Sequence, residues 1–163
     1  MPTSTAYLGL GSNLGDRRGW LEKALRLLSP SPDIRPGRIS RIYETTPVGA
    51  TGQGDYLNAV VAVETSLAPR ALLARCQEIE DTCGRVRRER WSARTLDIDL
   101  LWHEACPRSD DLVLTLPHPR MQERAFVMVP LEELAPDLVI EGRTVREHAR
   151  RLGGEGVRVW GKD

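Results

Sequence analysis

Residues 39–65 read ISRIYETTPVGATGQGDYLNAVVAVET and predict two strands joined by a loop. Ile39 to Thr45 alternates apolar and polar side chains, and Tyr56 to Thr65 is rich in valine, as strands are. Residues 47–54 between them contain three glycines and one proline, a composition typical of loops. The segment is therefore interpreted as a β-hairpin.

A predicted strand and a predicted helix flank this hairpin on each side. Upstream, Thr5 to Gly11 forms a strand, and Asp16 caps a helix whose apolar residues recur at helical spacing. Downstream, Pro69 begins a second helix, and Thr95 to Trp102 forms another strand. The order strand, helix, hairpin, helix, strand predicts an α+β sandwich with an antiparallel-rich sheet.

The last third of the chain predicts shorter elements. Pro130 should kink or end a helix early, and Thr144 with Glu147 forms a capping box that opens another helix. The expected elements are a strand at 112–116, a helix at 121–134, an extended segment at 138–140, a helix from 144 and a strand at 157–160.

Composition bounds the function. The chain has 163 residues and is 40% hydrophobic, which predicts one domain over residues 1–163 with a real core. Basic and acidic residues both number 23, so bulk charge does not favour nucleic acid as a partner. We expect no membrane partner and a cytoplasmic location, because no apolar run approaches the ~18–20 residues of a membrane span and the first residues lack signal-peptide features.

The three cysteines favour a reducing compartment. Cys76, Cys83 and Cys106 form no Cys-x-x-Cys pair. Seven helical residues would separate Cys76 from Cys83 by ~10 Å, and a disulfide needs Cα atoms within ~7 Å. Buried, reduced thiols are expected.

The sequence Leu96-Asp97-Ile98-Asp99-Leu100 lies within a predicted strand. Side chains alternate along a strand, so Asp97 and Asp99 share one face. Neighbouring carboxylates repel, and Mg²⁺ is commonly held by one or two carboxylates together with substrate phosphates. The pair therefore indicates a metal site; a solvated edge strand is the alternative.

A cluster of arginines precedes the aspartates. Five of the ten residues 85–94 are Arg. Guanidinium groups match phosphate oxygens in geometry and keep their charge, so arginines beside a carboxylate pair favour a polyphosphate site with Mg²⁺. Arginines that pair with surface acids are the alternative.

The glycine-rich start, residues 9–15, matches neither the dinucleotide fingerprint nor the P-loop. Gly11 is followed by Ser12 and Asn13, which are interpreted as residues of a tight turn whose side chains hydrogen-bond backbone groups. A nucleotide is therefore not expected on a P-loop.

Two further features suit a small-molecule ligand. His118 lies between two prolines and could donate to a phosphate or transfer a proton. Tyr56 and Asn58 share a strand face, and a flat heteroaromatic ligand would satisfy the amide of Asn58 while Tyr56 and Phe126 stack on it. A purely structural His118, and an Asn58 bonded to loop backbone, are the alternatives.

Taken together, these stretches resemble the 6-hydroxymethyl-7,8-dihydropterin pyrophosphokinases of folate biosynthesis. The matching sequences are Gly11-Ser12-Asn13-Leu14, Tyr43-Glu44-Thr45-Thr46-Pro47, Asp55-Tyr56-Leu57-Asn58-Ala59, Gly84-Arg85-Val86-Arg87, Arg90-Trp91, Arg94-Thr95-Leu96-Asp97-Ile98-Asp99 and Leu116-Pro117-His118-Pro119. The resemblance implies a ferredoxin-like α+β fold and a monomeric, cytosolic enzyme. It also implies transfer of pyrophosphate from ATP to the hydroxymethyl group of the reduced pterin, with release of AMP.

The resemblance also implies roles for individual residues. Asp97 and Asp99 would bind two Mg²⁺ ions, and Arg85 and Arg94 would hold the phosphates. The implied ATP site comprises Gln77, Glu80, Arg87, Trp91, Ile98, Thr115, His118 and Arg124. The implied pterin site comprises Asn58, the backbone at Thr45, Pro47 and Val48, and the rings of Tyr56 and Phe126. Loops at 46–54 and 84–93 would close over the substrates.

The chain departs from the family pattern at three places. The loop between Arg85 and Trp91 is one residue shorter than in other members, which leaves the register of Arg87 and Arg88 open. Val113 stands where some members have an arginine that contacts ATP, and Pro119 where some have tyrosine. These two changes bear on ATP affinity and not on the reaction.

Two other functions remain open from the residues alone. The first is another Mg²⁺-dependent nucleotidyl- or glycosyltransferase, because paired aspartates serve those enzymes too. The second is an RNA-binding module, against which stand the zero net charge and the single Phe for base stacking.

Overall fold

A computed structural model describes residues 2–29, 32–46, 54–84, 95–154 and 156–161. In chain order its elements are β1 (Ser4–Ser12), α1 (Arg17–Leu28), β2 (Ile34–Ile39), β3 (Tyr43–Thr45), β4 (Tyr56–Thr65), α2 (Pro69–Thr82), β5 (Asp97–His103), β6 (Ser109–Asp110), β7 (Thr115–Leu116), a 3-10 turn (Met121–Glu123), α3 (Ala125–Leu134), β8 (Val139–Ile140), β9 (Arg143–Thr144), α4 (Val145–Leu152) and β10 (Val157–Val159).

The central sheet is antiparallel. Its strands run β10-β3-β4-β1-β5, and β2 pairs with β4 beside β3. If β2 and β3 are counted as one broken strand, β1 to β5 with α1 and α2 give the βαββαβ arrangement of ferredoxin-like folds. The predicted α+β class and antiparallel-rich sheet are confirmed.

The first core lies between the sheet and helices α1 and α2. Leu8 and Leu10 of β1 meet Leu21 of α1 and Leu72 of α2 there, and all four side chains are buried. Asp16 accepts a hydrogen bond from Gly19 N at 3.0 Å and caps α1, as the sequence predicts. Pro69 begins α2, where its missing N–H costs no helical hydrogen bond.

The second core lies on the opposite face of the sheet, under α3 and α4. Val60 of β4 and Leu101 of β5 pack there with Met128 of α3 and Val145 of α4. The capping box that Thr144 and Glu147 predict is present at the start of α4. Because the strands alternate, each presents one set of side chains to each core.

The three cysteines are free thiols; Cys76 and Cys83 are buried as predicted, whereas Cys106 is only partly buried. Burial, followed by the negative charges of Glu80 and Asp99, raises the pKa of the Cys76 thiol to about 12. Burial also raises the pKa of Cys83.

Three predicted elements differ from the structure. The strand predicted at 39–45 is confirmed only at β3 (Tyr43–Thr45), because Val60 N donates to the Ser40 side chain and interrupts the ladder between β3 and Ile39, the last residue of β2. The strand predicted at 112–116 covers only Thr115–Leu116, because Asp111 accepts Val113 N at 2.8 Å in a turn. The helix predicted at 121–134 begins only at Ala125, after a 3-10 turn at Met121–Glu123, and Pro130 does not end it early, since α3 continues to Leu134.

Candidate active site

The two aspartates that the sequence singles out lie at the start of β5. The buried side chains of Ile98 and Leu100 alternate with the half-buried Asp97 and Asp99. Ile98 and Leu100 belong to the first core, so both carboxylates project from the face that carries α3 and α4.

Strand register brings Asn58 and Asp97 into one row across the sheet. Gly11 of β1 is paired with Asn58 of β4 on one side and with Asp97 of β5 on the other. Tyr43 of β3 extends the row, because it is paired with Asn58. Since paired residues point to the same face, the amide and the carboxylate flank a position that has no side chain.

A hydrogen bond orients the amide of Asn58. Thr45 Oγ1 donates to Asn58 Oδ1 at 2.7 Å. Thr45 is paired with Tyr56, which lies two residues before Asn58 on the same strand face. The predicted pterin residues Thr45, Tyr56 and Asn58 are therefore neighbours on adjacent strands.

His118 approaches the second aspartate. Its Nε2 lies 3.9 Å from Asp99 Oδ1, and its backbone N donates to Leu101 O at 2.9 Å, which ties the residue to β5. The side chain of Asp99 is 49% exposed and that of His118 is 27% exposed, so both are accessible to a ligand.

A cleft of about 220 Å³ opens beside this pair. One side is apolar, and Asp99, Thr115 and His118 supply polar groups. Its lining comprises Leu73, Ile98, Asp99, Leu100, Leu112, Val113, Leu114, Thr115, His118 and Pro119. An apolar cleft with a few polar groups at one end suits a flat, partly polar ligand.

The buried carboxylate of Glu80 supports β5 from α2. Glu80 is 3% exposed, and its Oε2 accepts the backbone N–H of Ile98 at 2.7 Å. Ile98 lies between the two aspartates, so this hydrogen bond holds the backbone from which both carboxylates project.

Comparison with known proteins identifies the family. The model of the 7,8-dihydro-6-hydroxymethylpterin-pyrophosphokinase (HPPK) family matches residues 7–136. The chain belongs to the HPPK family. The resemblance predicted from the sequence motifs is thereby confirmed.

Named relatives agree with this membership. The chain is 50% identical over 152 residues to the 2-amino-4-hydroxy-6-hydroxymethyldihydropteridine pyrophosphokinase of Methylorubrum extorquens, covering 93% of this chain and 96% of that protein. It is 42% identical over 156 residues to the protein of the same name in Bacillus subtilis, covering 95% and 89%.

Solved structures share the fold. A Plasmodium falciparum HPPK-DHPS crystal structure superposes with a TM-score of 0.71 at 16% identity, covering 91% of this chain. The match spans 45% of the Plasmodium chain, so this HPPK-family chain corresponds to less than half of that protein.

The structure brings together only part of the predicted ATP site. Ile98, Thr115 and His118 line the cleft, whereas Gln77, Glu80 and Arg124 are outside its lining. Gln77 is exposed on α2, and the guanidinium of Arg124 lies 5.8 Å from the ring centroid of Phe126. Phe126 is half-buried at the start of α3, on the face that carries the aspartates.

Several predicted site residues lie outside the described residues. They are Pro47, Val48, Arg85, Arg87, Trp91 and Arg94. Most of both loops expected to close over the substrates falls there too.

Sequence reasoning missed two parts of the site. The apolar wall at Leu112 and Val113 was predicted as strand, although the turn chemistry of Asp110-Asp111 could have indicated a loop. The sequence predicts Gly11 as the end of a strand and the start of a turn, and not as a residue that shapes the site. In that turn Asn13 Nδ2 does donate to Gly54 O at 3.4 Å, whereas Ser12 Oγ is buried without a hydrogen-bond partner among the described residues.

Proposed function

We propose that this chain transfers the pyrophosphoryl group of ATP to the hydroxymethyl oxygen of 6-hydroxymethyl-7,8-dihydropterin, with Asp97 and Asp99 at the reacting centre. A bond forms between that oxygen and the β-phosphorus, and the bond from the β-phosphorus to the α,β-bridging oxygen breaks. AMP leaves, and the hydroxyl proton is released. The observation that carries the proposal is the shared sheet face of Asn58 and the two aspartates.

The pterin is assigned to the end of the sheet at β3 and β4. A pterin is a flat ring whose edge carries hydrogen-bond donors and acceptors. Asn58, oriented by Thr45, would bind that edge, and the rings of Tyr56 and Phe126 would cover its faces. The backbone at Thr45, Pro47 and Val48 is proposed to complete the contacts with the edge.

ATP is assigned to the side of β5. The adenine would occupy the cleft beside Asp99, where apolar side chains cover the ring and Thr115 and His118 offer polar groups. The triphosphate would then extend towards Asp97, with Arg85 and Arg94 proposed as its principal cationic partners. Gln77, Glu80, Arg87, Trp91 and Arg124 are proposed as further residues of this site.

The donor set of the aspartates fits Mg²⁺. Among the described residues, no three Asp, Glu, His or Cys side chains lie close enough together to bind one metal ion. Two carboxylates match magnesium, which takes few protein ligands and completes its shell with water and phosphate oxygens. Asp97 and Asp99 are proposed to hold two Mg²⁺ ions, which supply neutralisation of phosphate charge and a lower pKa for the bound hydroxyl.

The remaining assignments concern the whole chain. A single pyrophosphokinase domain over residues 1–163 is supported by one sheet that serves both cores. We propose a cytoplasmic monomer whose partners are its two small-molecule substrates. Free thiols at all three cysteines support that compartment. Among the described helices, none has the length and apolarity that crossing a bilayer requires.

The nucleotide product tests the reaction. The protein is incubated with ATP, MgCl₂ and the hydroxymethyl-dihydropterin, and the nucleotides are separated by ion-exchange chromatography. We expect AMP and a pterin carrying two phosphates in equal amounts. ADP or inorganic pyrophosphate as the pterin-dependent product would contradict the proposal, and would indicate a kinase or a nucleotidyltransferase instead.

A substitution tests the aspartates. Asp97→Asn keeps the size of the side chain but removes the charge, so we expect the rate of AMP formation to fall by roughly 10²–10³-fold while the melting temperature changes little. The matched control is Asp110→Asn, an exposed strand aspartate on β6, which should keep the wild-type rate. Equal activity of the two variants would refute the role of Asp97.

A further inference from the structure

We propose that Gly11 determines pterin specificity by leaving room for the amide of Asn58, which Thr45 holds in place from the opposite side. The inference deepens the proposed function and rests on it for the identity of the ligand. It assigns a positioning role to a residue whose only contribution is the absence of a side chain.

The backbone gives no reason for glycine at position 11. Gly11 is an internal residue of β1, paired on both sides, and its φ is not in the positive region that favours glycine. Glycine inside a strand weakens it, because the residue loses more conformational freedom on folding and packs no side chain. Such a glycine often marks a place where a ligand or another group must approach closely.

The space above Gly11 is already limited by Asn58. A Cβ built on Gly11 would lie 3.0 Å from Asn58 Nδ2 and 3.6 Å from Tyr56 Cδ1. The first distance is shorter than ordinary contact, so an alanine would fit only if the amide moved by a few tenths of an ångström. The two nearest atoms belong to residues of the proposed pterin site, and the third, Leu57 O at 3.8 Å, is backbone between them.

Asn58 has little freedom to move away. Its Oδ1 accepts the hydroxyl of Thr45 at 2.7 Å, on the side opposite to Gly11. Retreat from a Cβ at position 11 would stretch or break that hydrogen bond. The amide would then present its donor and acceptor to the pterin edge in a changed direction, and hydrogen bonds weaken steeply with misalignment.

Gly9 provides a matched control on the same strand. The three atoms nearest to a Cβ on Gly9 all belong to the side chain of Leu101, and the nearest lies at 3.5 Å, which is ordinary van der Waals contact. Gly9 lies two residues before Gly11, on the same strand face. Gly9→Ala therefore introduces the same methyl group into the same strand without pressing on Asn58.

The experiment compares Gly11→Ala, Gly9→Ala and Asn58→Ala in the intact chain. For Gly11→Ala we expect the KM for the pterin to rise roughly tenfold, as for the loss of one hydrogen bond with the substrate. The KM for ATP should change by less than about twofold, and the melting temperature should match that of Gly9→Ala. A pterin KM no higher in Gly11→Ala than in Gly9→Ala would overturn the proposal.

A double-mutant cycle tests whether Thr45 and Gly11 act together on Asn58. We call this arrangement, in which the Asn58 amide is held between Thr45 and Gly11, the clamp. Thr45→Val removes the hydroxyl and lets the amide yield, so adding Gly11→Ala should cost clearly less than it does in the wild type. Thr45→Ser keeps a hydroxyl and should restore the full effect of Gly11→Ala. Independent, multiplicative effects of the Thr45 and Gly11 substitutions would show that no clamp exists.

A measurement without substrate separates this inference from the proposed function. The side-chain amide signals of Asn58 in an ¹⁵N–¹H spectrum should shift in Gly11→Ala and stay in place in Gly9→Ala. If they shift while the wild type makes no AMP, the proposed function fails and the clamp stands. If they do not shift, the inference fails whatever the activity.

Discussion

Tyr43 shows how one buried side chain links the site to the helix that covers it. It is 4% exposed and extends the row of Asn58, Gly11 and Asp97. Its hydroxyl donates to Glu133 on α3, which also accepts Arg41 N at 2.9 Å. The hydrogen bond therefore ties β3, the strand that carries Thr45, to α3.

The environment of Tyr43 also makes the stability of the folded protein depend on pH in the alkaline range. Burial, followed by the hydrogen bond and charge of Glu133, raises the pKa of Tyr43 from 10.0 to about 12. A group whose pKa is higher in the folded state stabilises it fully below the unfolded value. We expect this contribution to be complete below pH ~10 and to be lost as the pH rises towards 12.

Tyr43→Phe tests that contribution. The variant should be less stable at pH 8 by about 1–2 kcal/mol, because the hydroxyl no longer donates to Glu133 or accepts from Arg41. Its stability should then fall less steeply than that of the wild type between pH 10 and pH 11.5, as measured by urea unfolding. Parallel pH profiles for the two proteins would contradict the role of Tyr43, since every other titrating group is common to both.

At the scale of residues, the sequence predicts which face of a strand a side chain occupies better than it predicts which side chains contact each other. The alternation around Ile98 predicts that Asp97 and Asp99 share a face, and the burial pattern agrees. The contact of Thr45 with Asn58 depends on the register of β3 and β4, which no local pattern specifies. The space above Gly11 is limited by Asn58 and Tyr56 of β4, so it depends on the register of β1 against β4 and was beyond prediction from the sequence.

At the scale of elements, β5 depends on a neighbour outside the sheet. It ends the strand order β10-β3-β4-β1-β5, so its outer edge has no strand partner among the described residues. Unpaired edge groups must find other partners when they are buried. Glu80 of α2 fills this role for Ile98 N at 2.7 Å.

Removal of the Glu80 carboxylate should therefore destabilise the edge that carries the aspartates. Glu80→Ala leaves Ile98 N–H without this partner, and we expect a loss of about 1.5–3 kcal/mol in the free energy of unfolding. Glu80→Gln keeps an acceptor and should lose less. Urea unfolding measures the loss of stability, and the KM for ATP shows whether the edge that carries the aspartates is affected.

Glu78→Ala is the matched control on the same helix. Glu78 is exposed and pairs with Arg75 at 3.6 Å, so its removal should change stability by less than about 0.5 kcal/mol. If Glu80→Ala and Glu78→Ala unfold at the same urea concentration, Glu80 does not support the edge of β5.

Element boundaries were predictable where a local signal sets them. Asp16, Pro69 and Thr144 each mark a helix start that the structure confirms. The sequence pattern does not predict β2, which contains a proline at position 36. The structure accommodates Pro36 because β2 pairs only with β4, and proline is tolerated on an edge strand.

Across the whole molecule, the C-terminal segment reinforces the pterin end of the sheet. Strand β10 pairs with β3, placing Val157 opposite Thr45 and Val159 opposite Tyr43. Trp160 N donates to Ile42 O at 2.9 Å, and its ring packs against the first core. Strand β10 lies beyond residues 7–136, the range that the family model matches, yet it pairs with the strand that carries Thr45.

An ion network joins this segment to both ends of the 46–54 loop. Arg158 of β10 donates to Asp55 at 2.6 Å and to Glu44 at 3.2 Å. Arg17 of α1 donates to Glu44 at 2.7 Å and to the carbonyl of Asp55 at 2.9 Å. The two acidic residues precede Thr45 and Tyr56, so the network holds the neighbours of two proposed pterin contacts.

Truncation after Gly154 should therefore impair pterin binding more than ATP binding. The truncated chain loses β10, Arg158 and Trp160, and β3 becomes an outer strand without a partner on that side. We expect the melting temperature to fall by roughly 5–10 °C and the KM for the pterin to rise severalfold. The KM for ATP should change less, because the cleft beside Asp99 lies at the opposite edge of the sheet.

Two controls separate the effect of the β10 strand pairing from the effect of the Arg158 ion pairs. A chain that ends at Trp160 keeps all of β10 and should behave as the wild type. Arg158→Ala keeps the strand pairing but removes the ion pairs, which are half-exposed, so it should raise the pterin KM less than the truncation does. If the truncation raises both KM values equally, β10 stabilises the fold as a whole. If it raises only the pterin KM, β3 depends on β10 to keep Thr45 against Asn58.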